Sequence, residues 1–441
     1  MSVLFGAGIF ISLNTLTSFA EEVNLELSEV INEEEDEPVA VVAGADNTII
    51  AITATAKSIV VSATDLGVTT QEATALTNAI TAAANDAELL DALTTVVNAG
   101  GENATRAAQS IGPQADSLGG SCAATIVVGG QVGDITESRL ALQRRGEAYA
   151  QNGLGFAAAG DGLMAGNAWI RPFASISEQD ANGGIAGCDI ETFGGLGGLD
   201  WAVGKNSRVG ALVSYAHIQV AGDGPGQSKV DIDSYQGNLY GDFQFLDSYV
   251  EWLVGYGVNS TDTTRNIFVG TVHRIATGDY TSKQFTVSLG AGKPMSLSDT
   301  AFFTPDIGLT WLHVTGESYT ETGAGDVNLT MNLDDTDAIL GSLAFRVHSV
   351  SDLGNGYRFL PEFRAGIQYD FVGDEAESTS TFTGGGPSFT TVGTEVKELS
   401  GTVGLGFALT SDTKNFTLSY NASLKDGYMS HSGLFEAKIL F

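Results

Sequence analysis

Apolar and polar residues alternate along the chain from residue 168 to its end. Alternation with a period of two is typical of β-strands that have one apolar and one polar face. Turn-forming residues divide the region into twelve alternating stretches: Ala168–Ser177, Asp189–Val203, Arg208–Val220, Val230–Phe245, Tyr249–Ser260, Val272–Gly292, Ala301–Glu317, Val327–Val350, Tyr357–Val372, Lys397–Thr410, Asn415–Leu424 and His431–Phe441. An even number of antiparallel strands can close on itself and leave no free edge. The pattern therefore predicts a closed all-β barrel of about 12 antiparallel strands.

The two faces of these strands indicate where such a barrel lies. In the stretch Tyr357–Val372, Phe363 and Ile367 share one face, while Glu362 and Arg364 lie on the other. A membrane barrel turns its apolar face to lipid and its polar face to the lumen. A soluble β-sandwich would bury the apolar faces between two sheets, and it rarely needs dense aromatic bands at its strand ends. The faces therefore favour a transmembrane barrel.

The connections between the stretches alternate in length. Short joins lie at residues 205–207, 246–248, 293–299, 351–356 and 411–414. Longer joins, rich in Gly, Asp and Thr, lie between them at residues 178–187, 221–229, 261–270, 318–326 and 373–396. Short turns on one side and long loops on the other are typical of outer-membrane barrels. Both ends of the barrel are then expected on the short-turn, periplasmic side.

Changes of composition divide the chain into five regions. Residues 1–20 are predicted to be a signal peptide, because an apolar stretch ends in the small-x-small site Ser18–Ala20. No Lys or Arg precedes Lys57, and a buried N-terminal segment is the alternative. Residues 21–44 contain the acid run Glu33–Glu37 and are predicted to be extended, while residues 45–120 are Ala/Thr-rich and predicted to be a helical short passenger or linker. A further helix and a linker are predicted at residues 121–160, before the barrel at residues 161–441.

The end of this further helix is basic. Residues 137–145 carry Arg139, Arg144 and Arg145. A basic helix end beside a polar lumen would pair with carboxylates there, and the alternative is a solvated helix face. Both interpretations stay open from these residues alone.

Charge and residue spacing argue against several kinds of site. The formal net charge of −33 disfavours nucleic acid as a partner, because phosphate contacts need clustered Lys and Arg. The five His residues are scattered and form no metal-binding pair, and no glycine-rich loop precedes a helix as a nucleotide site requires. We therefore predict no enzyme activity, no catalytic residue, no cofactor and no metal. Cys122 and Cys188 are predicted either to form one disulfide or to stay unpaired.

Several short motifs of the barrel region resemble the autotransporter β-domain, the translocator of type V secretion. The matching segments are Ala168–Phe173, Asn182–Gly187, Gly198–Val203, Ser207–Gly210 and Ser234–Gly241. In the closing strand, Phe435, Ile439 and the terminal Phe441 resemble the C-terminal barrel-assembly signal of that family. Cys188 departs from the pattern, since an aromatic residue is expected there.

The resemblance implies a barrel with an α-helix in its pore and an exported passenger before the helix. This helix would lie near Asp134–Ala150, and a helix of ~10–12 Å diameter suits a barrel of twelve strands. Its three arginines would then meet lumen carboxylates such as Glu251 and Glu362. The resemblance also implies outer-membrane lipid, the barrel-assembly machinery and periplasmic chaperones as partners of a monomeric barrel.

The predicted function is that of an outer-membrane translocator with a very short or absent passenger. Residues 21–120 show no β-helix repeat and no esterase motif, which motivates the short passenger. No Asn-Asn pair lies just before the barrel, so no self-cleavage is predicted there. The alternative is a structural or adhesive outer-membrane barrel, with its lumen plugged by the N-terminal helices and its long loops binding a partner.

Overall fold

The computed structural model describes residues 42–43, 48–52, 58–151, 166–204, 206–395, 397–411 and 414–439. The predicted signal peptide and the terminal Phe441 lie outside these residues.

Small elements precede the barrel. Three strands, β1 (Val42–Ala43), β2 (Thr48–Ile52) and β3 (Ser58–Ser62), form an antiparallel sheet. Four helices follow it: α1 (Ala63–Leu66), α2 (Thr70–Ala82), α3 (Ala87–Ala99) and α4 (Glu102–Ile111), with a 3₁₀ turn at Ala83–Asn85. We call residues 63–111 the cap.

The cap helices begin at residues that satisfy their free backbone N–H groups. Thr69 and Glu72 form a capping box at α2, in which each side chain accepts a hydrogen bond from the backbone N–H of the other. Asp86 caps α3 by accepting a hydrogen bond from the N–H of Leu89 at 3.1 Å. The helices of the cap are therefore encoded locally.

A long helix, α5 (Ala115–Gln151), runs through the barrel, and we call it the lumen helix. Its 37 residues span about 55 Å at 1.5 Å per residue, which exceeds the ~30 Å thickness of a hydrocarbon core. It begins earlier than the predicted boundary at residue 121. Among the described residues, no helix combines the length and the apolar character needed to span a membrane.

In the described part of the chain the lumen helix is followed by these strands: β4 (Gly166–Gln179), β5 (Cys188–Val203), β6 (Ser207–Gly222), β7 (Lys229–Phe245), β8 (Ser248–Val269), β9 (Val272–Gly292), β10 (Met295–Ser296), β11 (Ala301–Val314), β12 (Ser318–Thr320), β13 (Leu329–Leu333), β14 (Thr336–Ser349), β15 (Ser351–Gly354), β16 (Tyr357–Asp370), β17 (Glu377–Phe382), β18 (Phe389–Val392), β19 (Leu399–Thr410), β20 (Lys414–Lys425) and β21 (Tyr428–Ile439).

Twelve of these strands form the barrel, in the order β4-β5-β6-β7-β8-β9-β11-β14-β16-β19-β20-β21. Every neighbouring pair is antiparallel, and β21 pairs with β4 to close the barrel. The predicted fold, a barrel of about 12 antiparallel strands preceded by a helix that threads it, is confirmed.

The strands expose their apolar face and bury their polar face, the inverse of a soluble protein. On β4, Ile170 is 65% exposed and the next residue, Arg171, is 1% exposed. On β6, Val213 is 68% exposed. An apolar outer surface around a polar interior fits a barrel whose solvent is lipid.

Two of the predicted boundaries are wrong on the loop side. The predicted strand Val327–Val350 is two strands: β13 belongs to a separate four-stranded sheet with β12, β17 and β18, and β14 of the barrel begins at Thr336. The acidic pair Asp334–Asp335 separates them, since Asp is disfavoured in strands. The predicted loop at residues 261–270 is the end of β8, which forms a long hairpin with β9.

The cap packs on this loop side. Leu76 and Leu93 of the cap share one buried hydrophobic cluster with Ile267 of β8, Leu329 of β13 and Phe382 of β17. Below it, Arg265 of β8 donates from Nη1 to the carbonyl oxygen of Ile111 at 2.5 Å. The four-stranded sheet and the β8–β9 hairpin therefore form the surface on which the cap rests.

Candidate functional site: the helix-filled lumen

The lumen helix runs from the loop side to the turn side. In its first turn, Asp116 accepts hydrogen bonds from the N–H of Gly224 and the hydroxyl of Ser228, both in the β6–β7 loop region, at 3.2 Å each. About eight turns further along the helix, Arg144 contacts Glu251, three residues into β8 from the short turn. The chain therefore enters the lumen at the loops and leaves it at the turns.

Arg139 is bound by the wall formed by β5. Its Nε donates to Asp200 Oδ2 at 2.8 Å, and its Nη2 lies 2.6 Å from the same oxygen. Asp200 also accepts from Gln143 Nε2 at 2.9 Å and from the Tyr240 hydroxyl at 3.2 Å. The guanidinium group lies 4.9 Å from the ring centre of Trp169, which adds a cation–π contact.

Arg144 is bound by the neighbouring wall, β7 and β8. Its Nη1 lies 3.0 Å from Asp242 Oδ2 and 2.9 Å from Glu251 Oε2. The guanidinium carbon lies 3.6 Å from the ring centre of Tyr249. The two carboxylates share one cation, so Arg144 is surrounded by acceptors and by an aromatic face.

Glu137 reverses this arrangement on the opposite side of the helix. Two residues turn an α-helix by about 200°, so Glu137 faces away from Arg139. Its carboxylate accepts from Arg346 Nη2 at 2.7 Å and from Arg364 Nη2 at 2.9 Å. The helix thus presents cations to an acidic wall and an anion to a basic wall, which fixes its rotation in the lumen. We call these contacts the ion-pair belt.

Arg171 joins the first strand, the last strand and the helix. Its Nε donates to Glu436 Oε2 on β21, and its Nη1 donates to the Ile135 carbonyl and to Ser138 Oγ at 2.8 Å each. Glu436 Oε1 also lies 3.6 Å from Arg139 Nη1. Glu436 and Arg171 are each 1% exposed, so this network is fully enclosed.

One glycine allows the helix to approach the wall closely. A Cβ atom on Gly129 would lie 2.1 Å from Gln284 Nε2 and 2.5 Å from Leu312 Cδ2. The glycines of the helix, which weaken its pattern in the sequence, have a packing reason at this position.

The site residues proposed from sequence lie in different environments in the structure. Arg139 and Arg144 face lumen carboxylates, Glu251 among them, whereas Glu362 lies 3.4 Å from the wall residue Arg346. Arg145 is in the helix and Ile439 ends β21, but the structure does not describe their side chains. Phe435 points outward and is 46% exposed.

Among the lumen residues that sequence reasoning missed are Glu137, Arg171, Asp200 and Glu436. The last three occupy polar positions within alternating strands, so their lumen orientation could have been inferred. Glu137 could have been found from its place two residues before Arg139. Their partners could not, since these depend on the register of β4, β5 and β21 around the helix.

The two cysteines are free thiols, and Cys188 is buried. Of the two possibilities left by the sequence, the unpaired one is found in this structure.

Known proteins resemble the barrel region. A family model described as the autotransporter beta-domain matches residues 168–423, which is more than half of the chain. The chain belongs to the autotransporter β-domain family. Its barrel lies in the outer membrane and is of the translocator type.

Similar proteins include outer membrane protein B of Rickettsia japonica, 25% identical over 287 residues that cover 62% of this chain and 17% of that protein. Outer membrane protein A of Rickettsia conorii is also 25% identical over 287 residues, 62% of this chain and 14% of that protein. The chain thus matches about a sixth of the length of these relatives. The translocator domain of the autotransporter NalP from Neisseria meningitidis has a TM-score of 0.48 at 15% identity, over 70% of this chain and 98% of that domain.

Proposed function

We propose that the barrel has carried the segment before the lumen helix to the cell surface. The observation that carries this proposal is the direction of the helix, from the loops to the turns. The C-terminal end of the helix must connect to β4 on the periplasmic side, since β4 runs from the turn side to the loop side. The described residues before Ala115 then lie on the outer side of the membrane.

The cap supports the same proposal. It packs on residues of the loop-side sheet and of the β8–β9 hairpin, all on the side that faces outward in an outer-membrane barrel. A segment that had never crossed the membrane would have no access to these partners. The prediction of a very short passenger, the division into domains and the dependence on assembly machinery and chaperones stay proposals.

An epitope inserted between Gly100 and Gly101 tests the position of the cap. Both glycines have positive φ values and a Cβ there would meet no atom within 4 Å, so the insertion site is open. We expect antibody to label this epitope on intact cells. A matched epitope at Asp247, in the β7–β8 turn, should be labelled only after the outer membrane is permeabilised. Protection of the first epitope on intact cells would contradict the proposal.

A second candidate function is a plugged structural barrel, in which the cap is a permanent part of the fold. The hydrophobic cluster shared by cap and loops favours it. Replacement of residues 63–111 by an unrelated small domain distinguishes the two. A translocator should still export the foreign domain, whereas a structural cap predicts loss of barrel assembly.

Replacement of Asp86 by alanine is expected to weaken the attachment of the cap by about 1–2 kcal/mol. The substitution removes both an ion pair and the hydrogen bond that Asp86 accepts at the N-terminus of α3. Arg274 Nη1 on β9 lies 2.6 Å from Asp86 Oδ2. Hydrogen exchange of α3 in the detergent-solubilised protein measures the effect. Replacement of the exposed Asp91 on the same helix is the control, and equal acceleration in both variants would contradict the assignment.

The same contact predicts a pH dependence. The hydrogen bond from Arg274 lowers the pKa of Asp86 below its usual value of 3.8. A carboxylate with a lowered pKa stabilises the folded state above its ordinary pKa, and this contribution is lost as the pH falls through the lower, folded value. The protection of α3 that depends on Asp86 should therefore be constant from neutral pH to about pH 4 and decline only below it.

A further inference from the structure

The lumen helix does not fill the barrel evenly. It packs closely on β5, β6 and β7, and an open chamber of about 320 Å³ lies along its other side. Wall residues of β11, β14, β16, β19 and β20 line this chamber, from Glu395 at the loops to Glu251 near the turns. A volume of this size holds on the order of ten or more water molecules.

The lining of the chamber is strongly acidic. Eight carboxylic residues line it, Asp134, Glu137, Glu251, Asp306, Asp370, Asp374, Glu395 and Glu398, against two basic residues, Arg364 and Lys425. Near the turns, Glu137 and Glu251 are neutralised by arginines of the ion-pair belt. The excess of acid is therefore greatest in the middle of the chamber and at its loop end.

Two carboxylates in the middle of the chamber differ from those of the belt. Asp306 is only 7% exposed, and its Oδ1 has no hydrogen-bond partner within the described residues. Its Oδ2 lies 4.0 Å from Arg364 Nη2, beyond hydrogen-bond distance. Asp134 is on the helix and is solvent-exposed although the barrel wall surrounds it.

A second oxygen in the chamber, besides Asp306 Oδ1, is also without a partner in the described structure. Gln131 Oε1, one turn before Asp134, is buried and accepts no hydrogen bond there. Carboxylate and amide oxygens can only accept, so what completes these sites must be a donor or a cation. A buried acceptor without such a partner costs free energy.

We propose that the chamber is a cation-selective passage beside the lumen helix, in which Asp134 and Asp306 attract small hydrated cations and exclude anions. Acidic side chains that line a narrow path favour cations, and low-dielectric walls strengthen their field. The passage coexists with the helix and does not require its removal. It is independent of the proposed direction of export.

The test is ion permeation by the full chain in planar lipid bilayers at pH 8, with a KCl gradient. We expect a small conductance with a reversal potential that shows preference for K⁺ over Cl⁻ by roughly tenfold or more. Replacement of both residues, Asp134→Asn and Asp306→Asn, should lower that permeability ratio several-fold. Asp247→Asn, at a turn outside the chamber, is the control and should leave it unchanged.

A second variant tests the path without altering any charge. Gly130 lines the chamber, and a Cβ there would meet no atom within 4 Å. Leucine is also a better helix former than glycine, so Gly130→Leu should fill space without unfolding the helix. We expect it to reduce the K⁺ conductance more than twofold while the heat-dependent gel migration of the folded barrel is kept.

Three results would overturn the proposal: no conductance through the unmodified chain, equal or greater permeability to Cl⁻, or full conductance in folded Gly130→Leu. An equal loss of selectivity in Asp247→Asn would also overturn it. The epitope experiment on export is not affected by any of these results.

Discussion

Glutamine in place of Glu436 is expected to destabilise the closure of the barrel by about 3–5 kcal/mol, the cost of removing one partner from a buried charge network. The carboxylate of Glu436 is shared by Arg171 and Arg139, and all three side chains are at most 2% exposed. Its loss leaves Arg171 with only neutral acceptors on the helix. The temperature at which the folded barrel converts to the unfolded form on semi-native gels measures the change.

The backbone at this seam explains why one side chain should have so large an effect. Among the described residues, β21 pairs with β4 only from Tyr428–Gln179 to Leu434–Phe173, whereas its pairing with β20 extends from Lys425 to Lys414. Pro172, which has no N–H to donate, comes next on β4. Beyond that point the contact between Glu436 and Arg171 replaces part of the missing ladder.

A matched lumen variant tests whether the seam is the cause. Glu362→Gln removes a carboxylate from the wall, where Glu362 lies near Arg346 and away from the seam. We expect a smaller loss from Glu362→Gln than from Glu436→Gln, because Arg346 keeps its contact with Glu137. Equal losses would show that any lumen carboxylate has this effect and that the seam is not special.

Much of the barrel follows from alternation in the sequence, because lipid outside and polar groups inside impose a period of two on every strand. On the loop side, beyond the lipid, this alternation no longer predicts where the strands begin and end. There β8 and β9 continue as a hairpin and β13 joins a separate sheet, since strands outside lipid no longer need an apolar outer face. Packing against the cap, which is distant in sequence, determines where these strands end.

The lumen site was only partly predictable for a related reason. The basic character of residues 137–145 indicated ionic partners, and the polar face of each strand indicated where these would be. The choice of Asp200 for Arg139, however, depends on the rotation of the helix and on the close approach at Gly129. This pairing depends on all of these contacts together, so it cannot be inferred from a single stretch of sequence.

Methionine in place of both Arg139 and Arg144 is expected to release the lumen helix from the barrel. Methionine keeps the length and helix propensity of the side chain but leaves Asp200, Asp242 and Glu251 without their cations from the helix. Each removal should cost about 3–5 kcal/mol. The bilayer conductance should then rise several-fold above that of the unmodified chain, because a helix ~10–12 Å wide no longer occupies the pore.

Arg106→Met provides the matched control, since this arginine lies over the ring of Phe268 in the cap region and outside the lumen. We expect no change of conductance from it. Unchanged conductance in the folded double variant would contradict the role of the belt in holding the helix.

Methionine substitutions of Arg139 and Arg144 should differ in how their effects combine with the effect of Glu436→Gln. Arg139 contacts Glu436, so the double variant of these two residues should lower the melting temperature by less than the sum of the two single variants. Arg144 is bound by Asp242 and Glu251 instead, so its effect should add fully. Additivity in both pairs would mean that the seam and the helix are held separately, and that Glu436 does not couple closure of the barrel to occupation of its lumen.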